Sequence, residues 1–531
     1  MEQKSRSSFS SRIGFVLAAA GSAVGLGNLW RFPYLAAQYG GGIFLLVYII
    51  LAVTFGFTLM ITEIAIGRKT RLSCIGAYKA IDRRFGFLGW IAAFVPIIIT
   101  PYYSVIGGWV MKYLVTFLTG STQAAADGGN YFNEFIGFDA GSIPATMLDF
   151  NGPTPWFLLF VLLTTVVVIF GVEKGIEKAS RFMMPVLAVL SVVVAVYSLT
   201  IDGAMAGLKY YLLPDFSQFS ASTVLGALGQ LFYSMSLAMG IMITYGSYMQ
   251  KENLLEHSVT QIEVFDTLFA FIAGLMIIPA VVAFNGGDPT AINAGPGLMF
   301  VTLPMVFNSM HFGGIVGAVF FLLVLFAALT SSISLMETIV SVIMDKTPLK
   351  RTAATIVVTV VVLLFGVPSC LGYGPWAGIT IIGMQFLDFF DFISNSVLMP
   401  IVAFLTCILI GHVVGAKVIA DEVKEGAGAF HREKLHRVMV RWVAPILLLV
   451  ILGTELATKV FHCSRSNPCI KKNRPRAVLF VFSFPMVILN PSPLWRIETQ
   501  KQAALAACFA YRNFAQSGLC PHCCATLPFS L

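Results

Sequence analysis

"AAAGSAVGLGNLWRFP", Ala18 to Pro33, lies in the first long apolar segment of a 531-residue chain and decides how the rest is read. Three glycines at 21, 25 and 27, the amide Asn28 and the cation Arg31 interrupt a run that otherwise has the composition of a membrane helix. Unwound backbone at membrane depth needs partners for its N–H and C=O groups, and it persists only where it is buried in protein or lines a wet cavity. Freed carbonyls suit a hard cation, while the N-termini of half-helices carry partial positive charge that suits a carboxylate. A single glycine equally serves close packing of helices. Only a second break elsewhere in the chain separates the two possibilities.

Composition supplies the setting. The chain is 57% hydrophobic and 11% charged, with a mean hydropathy of +0.84, where soluble domains carry roughly 25% charged residues. It is therefore expected to be an all-α polytopic membrane protein. Apolar runs near the ~20 residues that cross a bilayer recur at about 13–36, 42–66, 88–118, 156–170, 183–200, 223–248, 264–284, 312–343, 353–368, 377–412 and 438–453, giving about 11 transmembrane helices. The first run has no small-residue cleavage site before its glycines and continues too far for a signal peptide, so it counts as span one. Lys4, Arg6 and Arg12 are expected to place the N-terminus in the cytoplasm, and the expected location is the cell's inner (plasma) membrane. The loops expected on the same side are basic, as in "GRKTRLSCIGAYKAIDRR" (67–84), "EKGIEKASR" (173–181), "DKTPLKR" (345–351) and 417–441, whereas 120–155 and 285–311 hold no Lys or Arg. The net charge of +8 thus reflects topology rather than a nucleic-acid partner.

A second break lies five spans later. "GQLFYSMSLAMGIMITYGSY", Gly229 to Tyr248, carries Ser234, Ser236 and Gly240 in the middle of the sixth span. Paired interrupted segments in two halves of a membrane chain point to an inverted repeat with a substrate site between them. Spans one to five and six to ten would be the halves. A third cluster, Thr330, Ser331, Ser332 and Ser334 in the eighth span, fits cation coordination beside two broken helices; alone, such hydroxyls often bond back to the i−4 carbonyl. Charges at membrane depth are functional candidates by default, which singles out Arg31, Glu63, Asp266 and Asp391, with snorkelling or mutual pairing as the plainer alternative. Asp388 lies one turn from Asp391 and could exchange roles with it. An intramembrane enzyme would need a His or carboxylate constellation, but His257, His311 and His412 lie near span ends and no paired metal spacing appears. No catalytic residue is expected. A substrate-gated ion channel is the alternative to a carrier.

Taken together, "GSAVGLGNLWRFPYLAAQYGGGIF" (21–44), "EIAIGR" (63–68), "GQLFYSMSL" (229–237), "LTSSIS" (329–334) and "FLDFFDF" (386–392) resemble the neurotransmitter:sodium symporter family, in its branch of bacterial amino-acid transporters. The resemblance covers about residues 6–453. It implies a sodium-coupled symporter importing an apolar or aromatic amino acid by alternating access, on a five-plus-five inverted-repeat core with unwound first and sixth helices. Carried over position by position, it places a first sodium ion on the Ala23 carbonyl, Asn28, Ser234 and Asp266, and a second on the carbonyls of Gly21, Val24 and Ala327 with the hydroxyls of Thr330 and Ser331. The substrate pocket would be lined by Ser22, Gly25, Tyr103, Tyr233, Ser236, Met239, Ser331 and Leu335. Arg31 and Asp391 would form the outer gate under Tyr233, Arg6 and Asp345 the inner latch beside Phe9 and Tyr248, and Glu63 would tie the second span to the unwound sixth. Two sodium ions and no chloride requirement are expected, because Asp266 supplies a fixed negative charge and Ala270, one turn on, has no hydroxyl. Membrane lipid surrounds the chain, as a monomer or homodimer.

The organisation expected is a cytoplasmic segment 1–11, a transporter domain 12–453 and an atypical tail 454–531. The tail lacks the family's character. Its apolar piece at 477–489 is short and holds Pro485, and "KKNRPR" after an outward-ending eleventh span breaks the positive-inside pattern. The reading is of an aberrant or replaced C-terminus, as from a shifted reading frame. "CPHCC" at 520–524 lacks a second ligand pair for zinc.

Overall fold

The computed structural model describes residues 7–138, 149–288, 292, 295–425 and 429–459. Among these the chain is built of helices and turns, with no strand. Eight continuous helices are long and apolar enough to cross a membrane: Gly42–Thr70, Arg83–Leu118, Val172–Leu199, Leu255–Phe284, Gly313–Lys346, Arg351–Gly372, Phe386–Val413 and Glu433–Lys459. A ninth is the pair Arg12–Ala23 and Gly27–Gln38, bent by 50° at its break. The fourth and sixth expected spans fall short of that length for separate reasons. Thr154–Ile169 is 16 residues long, stopping before Gly171 at a φ of +87°. The sixth is divided into Ala221–Ser234 and Ile241–Tyr248. Each of the eleven apolar runs is thus a helix or a helix pair, and the two divided ones stand five spans apart.

Contacts divide the chain into Met1–Thr454 and Glu455–Leu531. In the first unit, the eighth span packs along the third, the inner half of the sixth packs on the second, and the fifth and seventh pack together. The outer surface carries the inverted pattern that a lipid solvent selects: on the fifth span Phe182, Val189, Val193 and Val196 are exposed, while Ser180, Ser191 and Ser198 are buried. Of the second unit, residues 460–531 lie outside the described residues, and with them the 477–489 piece and the Cys520, Cys523 and Cys524 cluster.

One expectation for the loops changes. The 285–311 stretch, read as a connection, contains the apolar helix Leu298–Ser309. Its Phe300 stacks on Phe132 and meets Trp109 and Tyr113 edge-on or tilted. At that length it cannot cross a bilayer, and it buries Leu298, Met299, Phe300 and Leu303 instead.

At the end where the basic loops converge, Arg68 is fully buried. Its Nε donates to Glu422 Oε1 at 2.9 Å and its Nη1 to the Asn253 carbonyl at 2.9 Å, while Nη2 reaches the Glu422 and Glu425 carbonyls. One guanidinium therefore joins the end of the second span, the loop after the sixth and the helix Lys417–Lys424. Removing one partner of a buried pair strands the other charge, which ordinarily costs about 3–5 kcal/mol; here Lys251 Nζ lies 3.6 Å from Glu422 Oε2 and softens the loss. Arg68→Ala should therefore lower stability by about 3 kcal/mol, and Arg68→Lys should recover little, because a single ammonium cannot reach three segments. Thermal unfolding of the detergent-purified chain measures both.

Candidate functional site

The two breaks face each other. The first helix ends where Val24 turns extended (ψ 95°) with its N–H still on the Ala20 carbonyl, and helical structure resumes at Gly27. Small residues are required there by proximity. A Cβ at Gly25 would stand 2.7 Å from Ser331 Oγ and 3.1 Å from the Tyr103 hydroxyl, and one at Gly27 would run into the Tyr233 ring. In the sixth span, Met235–Gly240 leaves the helix through left-handed residues, with φ +53° at Ser236, +61° at Ala238 and +75° at Gly240. For two non-glycine residues this conformation costs about 1–2 kcal/mol each, so neighbouring groups must hold it. Glu63 Oε1 accepts the Ala238 N–H at 2.7 Å, and Ser236 Oγ donates to the Ser22 carbonyl at 2.9 Å. The second bond joins the two breaks directly.

Beside them lies Asp266, fully buried in the seventh span. Asn28 Nδ2 donates to its Oδ1 at 2.8 Å and to its carbonyl at 3.3 Å. Ser234 Oγ donates to its two carboxylate oxygens at 2.7 and 2.8 Å, and the Tyr48 hydroxyl at 3.1 Å. These hydrogen-bond partners are all uncharged. An ionisable group so placed within a membrane span is a functional-site candidate by default. Ala23 is the last residue of the first half-helix and lines the cavity between the two breaks.

Around the second proposed ion, Ser331 Oγ donates to the Ser22 carbonyl at 3.1 Å. Thr330 Oγ1 donates to the carbonyls of Phe326 and Ala327 at 3.1 and 3.0 Å, the back-bond that such a hydroxyl makes within its own helix. A Cβ at Gly21 would stand 3.2 Å from Thr330 Cβ, so the first and eighth spans abut at this point.

All eight expected pocket residues, Ser22, Gly25, Tyr103, Tyr233, Ser236, Met239, Ser331 and Leu335, line one cavity, with Ala23, Leu26, Gly27, Ile99, Ile241 and Asn395. Its free space is about 30 Å³, about one water's share of liquid volume. A side chain larger than a methyl group enters only if wall residues such as Met239 and Leu335 change rotamer, which flexible methionine does readily.

The gate residues are placed differently. Arg31 lies over the Tyr233 ring, 5.5 Å from its centroid, and makes no ion pair with Asp391. Asp391 Oδ1 instead accepts the Tyr102 hydroxyl at 3.2 Å and Asn395 Nδ2 at 2.5 Å, and Asp388 accepts the Tyr373 hydroxyl. At the other end Phe9 N donates to the Tyr248 carbonyl at 3.1 Å, with its ring packed on Tyr245 and Tyr248. Asp345 Oδ2 accepts the Ser73 N–H at 2.7 Å; Arg6 lies outside the described residues.

Four groups at the site have no counterpart among the sequence expectations: Tyr48 on Asp266, Gln230 donating to the Gly27 carbonyl at 2.9 Å, Asn395, and the pair Glu337–Arg351 (2.7 Å) that takes the Tyr248 hydroxyl. Tyr48 offered no signal, since a tyrosine within an apolar run reads as core and its partner Ser234 is 186 positions away. Glu337 did offer one, as a carboxylate in an apolar span.

A family model described as the sodium:neurotransmitter symporter family matches residues 6–136 and 131–467. The chain is 35% identical, over 458 residues, to the "uncharacterized sodium-dependent transporter YhdH" of Bacillus subtilis, covering 85% of this chain and 98% of that one. It is 32% identical to an "uncharacterized sodium-dependent transporter" of Haemophilus influenzae over 85% and 99% of the two lengths. Among solved structures it resembles MhsT in complex with L-phenylalanine, with 36% identity and a TM-score of 0.75, covering 85% of this chain and 100% of that one.

Glu63 offers a direct probe of the left-handed segment. Glu63→Leu leaves the Ala238 N–H buried without an acceptor and should cost about 1–3 kcal/mol, with faster amide exchange across Met235–Gly240. Glu63→Gln keeps an acceptor oxygen and should behave close to wild type. Hydrogen-exchange mass spectrometry with thermal unfolding measures both.

Proposed function

Since the chain belongs to the sodium:neurotransmitter symporter family and is a multi-pass, sodium-dependent transporter, we propose that it imports an apolar or aromatic L-amino acid together with two sodium ions by alternating access. The observation that carries this reading is the buried Asp266 carboxylate, held by an amide and hydroxyls and standing beside both broken helices. A carboxylate so placed is stable in its ionised form when a cation joins it. The first sodium ion would bind the Ala23 carbonyl, Asn28, Ser234 and Asp266, with the substrate carboxylate completing the shell. The second would bind the carbonyls of Gly21, Val24 and Ala327 with Thr330 and Ser331, whose hydroxyls would turn from the carbonyls they now engage.

The substrate's carboxylate would lie over Gly25 and accept from the Tyr103 hydroxyl, and its side chain would press between Met239 and Leu335. Phenylalanine, the molecule bound to MhsT, is the natural first probe. Arg31, Tyr233 and Asp391 would close the outer side; Arg6, Asp345, Phe9 and Tyr248 would close the inner side. We place the chain in the plasma membrane with its N-terminus in the cytoplasm, as a monomer or homodimer. At ~100 mV and a ~tenfold gradient each sodium ion supplies roughly 3.7 kcal/mol, so two ions support about a 10⁵-fold substrate ratio.

Proteoliposome transport tests the proposal. Labelled phenylalanine should accumulate under an inward sodium gradient, exchange in counterflow, and be taken up equally when gluconate replaces chloride. Asp266→Asn should raise the sodium concentration needed for half-maximal uptake by at least about tenfold, the equivalent of 1.4 kcal/mol. Dissipation of the gradient without counterflow would make the protein a substrate-gated channel, and uptake that fails in gluconate would remove the charge-balance role of Asp266.

The second ion has its own test. The double variant Thr330→Ala and Ser331→Ala should bind phenylalanine only at much higher sodium and reduce the steepness of the sodium dependence toward that of one ion. An unchanged sodium titration would remove the eighth span from the ion sites.

A further inference from the structure

A second cleft of about 320 Å³ lies away from the transport pathway, between the helix Lys417–Lys424 and the start of Glu433–Lys459. Its charged walls are Lys417, Asp421, Lys424, Glu433, Arg437 and Arg441, so cations outnumber carboxylates by two. The internal pairings are unequal. Glu433 takes both Lys424 Nζ at 2.7 Å and Arg437 Nη2 at 2.6 Å. Lys417 and Arg441 are left without an ion pair among the described residues, with Arg441 held 5.5 Å over the Trp442 ring and its carbonyl bonded to His412 Nε2.

The place of these cations on their helix identifies the partner. Arg437 and Arg441 are one turn apart, and each is followed by an exposed apolar residue, Val438 and Trp442. That stripe continues along the helix through Ile446 and Leu449, with exposures of 54, 49, 57 and 46% in order. Tryptophan at such a junction marks the headgroup level of a bilayer. Arg68, whose guanidinium binds the helix Lys417–Lys424, and the other basic loops share this end of the molecule, so the cleft opens on the face that the positive-inside rule assigns to the cytoplasm. A free anion would use the cations and leave the stripe idle. An anionic phospholipid uses both, its phosphate between Lys417 and Arg441 and its acyl chains along Val438, Trp442 and Ile446.

We propose that this cleft binds the headgroup of an anionic phospholipid of the cytoplasmic leaflet. Each basic residue near an anionic surface contributes about fivefold to binding, so two contribute roughly thirtyfold. The volume suffices: about ten waters' worth of space accommodates a phosphate and a glycerol headgroup.

Native mass spectrometry of the full-length chain with added phosphatidylglycerol or phosphatidylcholine tests this. The wild type should retain phosphatidylglycerol preferentially, and the double variant Lys417→Ala and Arg441→Ala should lose roughly thirtyfold of that retention, whereas Lys417→Arg with Arg441→Lys should keep most of it. Excess inorganic phosphate should fail to displace the lipid. Equal retention of the two lipids by wild type, which decides even if the alanine variant does not assemble, would overturn the proposal. So would undiminished phosphatidylglycerol binding by a folded alanine variant, or displacement by inorganic phosphate, which would make the cleft a free-phosphate site.

Discussion

Backbone N–H and C=O groups cannot be left unpaired inside a bilayer, and this molecule has two helices that stop halfway across. Everything around the centre answers that constraint. The first break is held by Gln230 on the Gly27 carbonyl and by Ser236 and Ser331 on the Ser22 carbonyl; the second is held by Glu63 on the Ala238 N–H. The side chains that satisfy one break come largely from the other, or from the second and eighth spans. Neither half-helix pair is therefore independent of the other, and a change at one is transmitted through hydrogen bonds to the other.

The same constraint gives the site its chemistry. Backbone that has left the helix offers carbonyl oxygens, and beside it stands the Asp266 carboxylate, whose hydrogen-bond partners are dipoles rather than cations. A cation bound there, as proposed, would complete a charge balance that these hydrogen-bond partners leave open. In the reading proposed above that cation is sodium. The tightness of the cavity belongs to this picture: with about 30 Å³ of space, occupancy by an amino acid and rearrangement of its walls have to go together.

A contrast exists between the buried charges at the centre and those at the basic end. Arg68 with Glu422, and Arg351 with Glu337, are pairs with short, direct contacts in which each ion meets its opposite. Such pairs specify one arrangement of the segments they join, whatever their net contribution to stability. Asp266 has no such partner. Direct counter-charges thus stand where loops are fixed, and Asp266, where an ion is proposed to bind, is held by dipoles.

Much of this was legible in the amino-acid order. Hydrophobic runs of bilayer length follow from the thickness of the membrane, and glycine, serine and asparagine inside two of them mark the breaks because helix propensity and lipid solvation both disfavour them there; so the eleven runs and the two divided spans could be named in advance, whereas the eight residues around the cavity were named only through the resemblance to the symporter family. The geometry among them could not. That Tyr48 reaches Asp266, that Arg31 rests on Tyr233 while Asp391 turns to Tyr102 and Asn395, and that Leu298–Ser309 is a helix packed on Trp109 depend on segments separated by tens to hundreds of residues. A side chain's hydrogen-bond partner is chosen by which helices abut and by which rotamers their packing permits. Composition and periodicity describe one helix at a time, whereas the balance of charge at Asp266 and the unequal pairing in the basic cleft are properties of several helices at once, and only the tertiary structure decided them.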